Sequence, residues 1–310
     1  MIAISICICT FRRPLLLQRL LNAVFSQTCN QGQLEVIVVD NDVHRSATPV
    51  LNEFASRFHD RLTVLELSES NISLARNAAI AVARGEWVVM VDDDECPAQD
   101  WLNCLLAAQA SYNADVVFAP VVPEYAEGVP PWIIKGRFFD RRRPASGTRI
   151  DDKDARSGNV LVRKSFLDQL RTSSGVGPFD PAFGKTGGED SMLFRQLHAL
   201  GACMVWCDEA PVTEIVPLER ATPSWLLQRS FRTGQLFMRT ELAMFPDAQR
   251  RRRAFWLALR AVMQLCMSFV LTLVLLPLFP VKGFSWARVC ASQFGKLNHF
   301  LGTHSHVYGD

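Results

Sequence analysis

The 310-residue chain has almost no charge imbalance: 33 lysines and arginines face 31 acids, a net +2. That is too little to mark a nucleic-acid partner by bulk charge. No CxxC pair and no Cys/His grouping at ligand spacing is present, which argues against a structural zinc. The nine cysteines are scattered, and Cys7 and Cys9 alternate within an apolar run, so reduced, cytosolic thiols are expected rather than a disulfide framework. Neither GxGxxG nor a Walker A sequence follows the first apolar run, which disfavours an ordinary Rossmann site or P-loop. The N-terminus, MIAISICICTFRR, is apolar first and basic afterwards, the reverse of a secretory signal.

What is present is alternation. Apolar runs at Ile2 to Thr10, Leu34 to Val39, Leu62 to Glu66 and from Trp87 read as strands. Between them, helices are expected from Pro14, over about Pro49 to Phe58, and over Ser73 to Ala83, with Pro14 suited to a first turn and Gly85 closing the third helix. This β-α-β-α-β-α-β order predicts an α/β fold: a doubly wound, mostly parallel sheet with helices on both faces and ligands at the strands' carboxyl edge. A further strand is expected over Asp115 to Val121, then an irregular stretch from Pro123 to Asp154. Its Trp132, Phe138 and Phe139 among Arg137 and Arg141 to Arg143 suit either a lid over a diphosphate and a sugar, or a loop pinned by its aromatics. Regular structure returns at Ser157 to Arg163, with a strand expected over Cys203 to Cys207 and a helix over Ser224 to Thr240.

Acids collect where the strands end. WVVMVDDDECP runs a buried strand into Asp92, Asp93 and Asp94, and LEVIVVDND ends in Asp40-Asn41-Asp42. Three adjacent carboxylates raise one another's pKa unless a cation neutralises them. Hard oxygen ligands of this kind suit Mg2+ or Mn2+ shared with substrate phosphates; a solvated acidic turn is the alternative. A second focus is GKTGGED, which opens a helix on Glu189 and Asp190. Two readings fit it, a dipole-favoured helix start or a carboxylate base on a rigid helix end. Gln228, Arg229 and Arg232 share a helix, and the arginines at i and i+3 suit a phosphate or a solvated face.

Ala261 to Pro280 carries no charge and is about long enough to span hydrocarbon. Arg250 to Arg253 and Arg260 precede it, which favours the cytoplasmic side for the upstream domain. Pro277, Pro280 and the amphipathic stretch Trp286 to Leu301 leave a helix that bends back to the surface as a competitor to one that spans, and a buried soluble helix as a third reading.

In this order and spacing, ISICICTFRRP, EVIVVDND, NISLARNAAIAVARGEWVVMVDDDECP, SGNVLVRKS and GKTGGEDSMLFRQL resemble the family 2 glycosyltransferases of GT-A fold over roughly residues 2 to 240. Within that family the chain is most similar to bacterial succinoglycan-type exopolysaccharide enzymes, which also carry a C-terminal membrane helix. The resemblance implies a nucleotide-sugar half (1–122), an acceptor and catalytic-base half (123–240) and a membrane-associated segment (241–310). It makes Asp92, Asp93 and Asp94 the DxD motif, with Asp94 and Asp92 on the metal and Asp92 and Asp93 toward the nucleotide. It places Thr10, Asp40, Asn41, Asp42 and Arg76 on the nucleotide, Asp190 as general base with Glu189 beside it, and Gln228, Arg229 and Arg232 as a reduced QxxRW motif on the donor. The missing tryptophan of that motif weakens processive polymerisation and favours one sugar per acceptor. The implied activity is inverting transfer from a nucleotide sugar, with UDP-sugars favoured, to a polyprenyl-diphosphate-linked saccharide at the bacterial inner membrane. A sugar nucleotidyltransferase or an inactive membrane-tethered sugar-binding protein are the alternatives.

Overall fold

A computed structural model describes residues 3–28, 33–152 and 155–301. The expected strand start at Ile2, the end of the irregular stretch at Asp154 and the last residues of the C-terminal segment, 302–310, lie outside the described residues. The described residues form two units, one within residues 3–123 and 141–214, the other within 124–140 and 215–301.

The first unit opens with the expected alternation: β1 (Ile4–Thr10), α1 (Pro14–Phe25), β2 (Leu34–Asp40), α2 (Thr48–Phe58), β3 (Leu62–Glu66), α3 (Ile72–Val82) and β4 (Trp87–Met90). It continues through β5 (Glu95–Pro97), α4 (Trp101–Tyr112), β6 (Val116–Phe118) and the start of β7 (Val121–Tyr125). After Asp140 it resumes with β8 (Val160–Arg163), α6 (Lys164–Ser174), α7 (Glu189–Ala199), β9 (Met204–Trp206) and most of β10 (Val212–Val216). The seven-stranded sheet has the order β3-β2-β1-β4-β8-β6-β9. Strand β8 is antiparallel to β4 and β6, and the other pairs are parallel.

Both faces of the sheet are covered, which is why β1, β2 and β4 read as apolar runs rather than alternating patterns. Leu17 and Leu21 of α1, Phe54 and Phe58 of α2 and Trp101 of α4 bury on one face. Ala75 and Ala79 of α3, Leu167 of α6 and Leu193, Phe194 and Leu197 of α7 bury on the other. Each such large apolar side chain contributes about 1.5–3 kcal/mol of burial. The register pairs Thr10 with Asp40 and Asp40 with Glu66, so the carboxyl ends of three strands finish level on one edge.

Two expectations change. The strand expected over Asp115 to Val121 is two, β6 and β7, in different sheets. The chain turns at Ala119 and Pro120, whose carbonyl accepts the Asn159 amide. The stretch from Pro123 is not wholly irregular: it contains the end of β7 and a short helix, α5 (Pro131–Gly136). Proline at its first turn starts this helix, and Arg137 in a left-handed conformation ends it.

The second unit has its own core of Val129, Ile133, Phe138, Val216, Leu226 and Phe284. Three helices follow: α8 (Pro223–Ala243), α9 (Asp247–Leu278) and α10 (Pro280–Asn298). Helix α9 is long and apolar enough to cross a membrane by length and composition, and only 11% of its apolar stretch is buried. Helix α10 packs along both others. Arg288 donates to Ser230 at 3.3 Å and Gln235 to Asn298 at 2.8 Å, and a Cβ on Gly234 or Gly295 would strike the facing backbone. Because 230 meets 288 and 235 meets 298, α8 and α10 run parallel, and α9 returns between them in sequence as an up-down-up bundle.

Candidate active site

The first strand end delivers Thr10, and Pro14 opens α1 four residues later, which fixes the intervening turn. Arg13 is thereby placed over the acids that follow β4. Its Nη1 lies 3.0 Å from Asp93 Oδ1 and 2.9 Å from Asp94 Oδ2, while Thr10 Oγ1 donates to Asp93 Oδ2 at 2.8 Å. Burial raises the Asp93 pKa to about 6, opposed by Arg13 and reinforced by Asp94.

Asp92 is held by other partners. Its backbone N–H donates to Glu95 Oε2 at 3.0 Å, and Gly158 packs so close that a Cβ there would lie 3.3 Å from Asp92 Oδ2 and closer still to Glu95. Glu95 is 2% exposed, and burial, then the neighbouring Asp92, push its pKa well up, with Arg141 opposing. It acts as a strut beneath the acidic turn.

Arg76 joins this turn to the second focus. Asn71 caps α3 by accepting from the Ser73 and Leu74 amides, which sets the helix phase and turns Arg76 inward, 8% exposed. Its guanidinium donates to Glu189 Oε1 at 2.8 Å and to Asp92 Oδ1 at 3.1 Å. Gly187 and Gly188, both at positive φ, make the turn that starts α7 on Glu189 and Asp190. Among the described residues Glu189 Oε2 is buried with no hydrogen-bond partner. Burial raises this carboxyl to about 7, against the pull of Arg76. Asp190 is half-buried, its Oδ1 accepting from the Ser191 amide at 2.7 Å.

The Asp40-Asn41-Asp42 turn borders the same sheet edge. Asp40 accepts from the Asp42 and Ala47 amides and is raised by burial. Asp42 pairs with Arg12 at 3.3 Å; hydrogen bonds from the His44 amide and Arg12 offset its desolvation and hold its pKa low. Asn41, with its amide turned to satisfy both partners, bridges the Glu69 carbonyl and the Asn71 N–H. The turn therefore braces the start of α3 as well as facing the edge. In the second unit, Arg229 of α8 lies over the rings of Phe139 and Trp225, Gln228 is exposed and Arg232 half-buried. Packing is the first role of Arg229.

Arg13 and Glu95 were not singled out by sequence reasoning as site residues. For Arg13 the signal was present: a basic residue between a strand end and a helix-starting proline sits at the carboxyl edge. Glu95 stands in the same acidic run, but only its burial distinguishes it from the three aspartates.

Among the described residues no group of three or more His, Cys, Asp or Glu side chains converges to hold a metal alone. The acids present nevertheless fit a shared ion. Asp94 directs an oxygen at the Arg13 guanidinium and Asp92 one at that of Arg76, so each already faces positive charge, and Mg2+ or Mn2+ ordinarily takes only one or two carboxylates, with water and phosphate completing the shell.

A doubly wound sheet whose carboxyl edge gathers an acidic triplet, an inward arginine and a carboxylate-tipped helix has the architecture of the GT-A fold. The glycosyl transferase family 2 model matches residues 5–171, and the chain belongs to that family. It is 32% identical over 232 residues, 75% of this chain and 73% of the relative, to the succinoglycan biosynthesis protein ExoM of Rhizobium meliloti. It is 25% identical over 261 residues, 83% and 79%, to the glycosyltransferase AglE of Haloferax volcanii. Two solved structures share the fold. The mannosyltransferase PcManGT of Pyrobaculum calidifontis with GDP-Man and Mn2+ matches at TM-score 0.66 and 16% identity, covering 97% of this chain and 88% of that one. Staphylococcus aureus TarS 1–349 with UDP-GlcNAc matches at 0.55 and 15%, covering 97% and 93%.

Proposed function

We propose that this glycosyltransferase inverts configuration as it moves one sugar from a nucleotide-sugar donor, UDP-linked by preference, to a hydroxyl of a polyprenyl-diphosphate-linked saccharide in surface or exopolysaccharide assembly. The observation that carries the reading is Arg76, one guanidinium bonded both to the acidic turn and to the helix end that bears Asp190. It holds the metal-suited acids and the basic carboxylate in one site. The nucleotides named for PcManGT and TarS, GDP-Man and UDP-GlcNAc, support this donor class.

Asp94 and Asp92 would hold Mg2+ or Mn2+, which supplies charge neutralisation for a leaving diphosphate. Thr10 orients Asp93, and Arg13 neutralises Asp93 and Asp94. Thr10, Arg76, Asp93 and the Asp40-Asn41-Asp42 turn face the nucleotide. Asp190 takes the proton of the incoming hydroxyl, and attack from the face opposite the leaving group turns an α-linked donor into a β-glycoside. The test is Asp190→Ala: donor binding persists, while transfer falls by about 10²- to 10⁴-fold, the usual contribution of a general base. Near-normal transfer would remove Asp190 from the chemistry.

The second unit supports attachment to the inner membrane from the cytoplasmic side. Phe255, Trp256, Met263, Met267, Val270 and Leu273 are exposed along α9, beside Arg250 to Arg253 and Arg260. The helix turns Ala261 and Ser268 inward. Helix α10, packed along it, carries Lys282, Arg288 and Lys296. Carrying such charges to the bilayer centre costs roughly 2.5–3.5 kcal/mol each. A bundle lying in the headgroup plane, with α9 immersed and basic residues at anionic lipid, avoids that cost.

A further inference from the structure

A cavity of about 400 Å³ opens in the first unit beside the acidic turn, reaching it at Gly158. Its floor is apolar, built from Phe118, Ala119, Val121, Ile150 and Trp206, and among the described residues its lining includes four arginines, Arg141, Arg142, Arg149 and Arg156, against one acid, Asp151. The four are exposed at the mouth. Arg149 turns its guanidinium to Cys203 Sγ, and Arg141 lies 3.4 Å from Glu214 and also faces the buried Glu95 carboxyl. A neutral hexose is recognised through hydroxyls and needs no such concentration of positive charge. Guanidinium groups match the paired oxygens of phosphates and carboxylates, and a cleft of one sign draws in the opposite charge.

We infer that this cavity is the acceptor site and that Arg141, Arg142 and Arg156 recognise an anionic group on the acceptor, either its diphosphate or a sugar carboxylate. The inference rests on the glycosyltransferase reading and deepens it. Gly158 lies against Asp92, the residue proposed for the metal, so an acceptor held by these arginines has its sugar directed toward the reacting bond. Diphosphate and carboxylate share the recognising chemistry and differ in where the charge sits on the acceptor.

The test is titration of detergent-solubilised full-length protein, in chelator and without donor, with inorganic pyrophosphate, glucuronate and glucose. Wild type is expected to bind one of the anions, more weakly as salt rises, and not glucose. In R142Q/R156Q that binding is expected to weaken by about tenfold or more, since charge-assisted bonds are lost. Preference for pyrophosphate assigns the pocket to the diphosphate, and preference for glucuronate assigns it to a carboxylated sugar. Absence of anion binding, or binding unchanged in R142Q/R156Q, overturns the inference. Manganese-dependent UDP binding is the folding control for the variant. Release of nucleoside diphosphate from a nucleotide sugar, measured separately on wild type, reports on the transferase reading itself, so the two can fail independently.

Discussion

Removing Arg76 tests the central ion-pair arrangement most fully. In Arg76→Ala, Glu189 keeps its burial, 5% exposed, but loses its countercharge, and Asp92 loses its anchor. Breaking a buried pair in this way costs about 3–5 kcal/mol. Part of that cost depends on pH, and its sign follows from the raised pKa. Burial lifts Glu189 from 4.5 to about 7 in the folded protein, so folding favours the protonated form and stability falls as pH rises from 4.5 toward 7. Without Arg76 the folded pKa rises further, and this extra loss appears only above about 7, at roughly 1.4 kcal/mol per pH unit. The deficit of Arg76→Ala against wild type should therefore be larger at pH 8 than at pH 6. In a Glu189→Gln background, which has no carboxyl to ionise, it should become flat with pH. Urea unfolding of the full chain in detergent, followed by tryptophan fluorescence at pH 6, 7 and 8, measures this. A deficit below about 1 kcal/mol, or one equally large at every pH in both backgrounds, would refute the reasoning.

Three other outcomes are expected. Asp190→Ala should keep nucleotide-sugar binding and lose about 10²- to 10⁴-fold in transfer, read by product formation at saturating donor. Gly158→Ala places a methyl against Glu95 and Asp92, and should weaken manganese-dependent donor binding measurably while leaving the thermal midpoint within a few degrees of wild type; unchanged binding would detach this backbone from the metal acids. A reporter fused after Asp310 should behave as cytoplasmic, with green fluorescent protein fluorescent and alkaline phosphatase inactive, if α9 lies in the membrane plane. The opposite pattern would make α9 a lone span and contradict the return of α10 along it.

Much of the first unit was legible because its physics is local. Strands covered on both faces must be apolar throughout, so β1, β2 and β4 announce themselves, and Pro14 and Gly187-Gly188 mark helix starts by stereochemistry alone, whereas the helix expected from Ser73 starts at Ile72 behind its cap Asn71. Strand β5 was hidden because three residues, Glu-Cys-Pro, follow an acidic turn and pair only with distant β10. Strand β7 carries Pro123, which reads as a breaker. Helix α10 was blurred by Lys282, Arg288 and Lys296, charges that make sense only beside α8 and α9. At the site, the acids were visible as types and positions, but their linkage through Arg76 was not. A contact between Arg76 and Glu189, 113 residues apart, is a product of tertiary structure. The same holds for Asp40, whose role in accepting the Ala47 amide depends on how the turn closes.

The most direct measurement of the central claim is incubation of the full-length protein in native membranes with a panel of UDP-, GDP- and dTDP-sugars, with Mn2+ or chelator, identifying what leaves the donor. The expected result is release of the nucleoside diphosphate from one donor, dependent on Mn2+ or Mg2+ and lost in Asp94→Ala. Release of pyrophosphate, or donor cleavage that is indifferent to chelator and to Asp94→Ala, would contradict it.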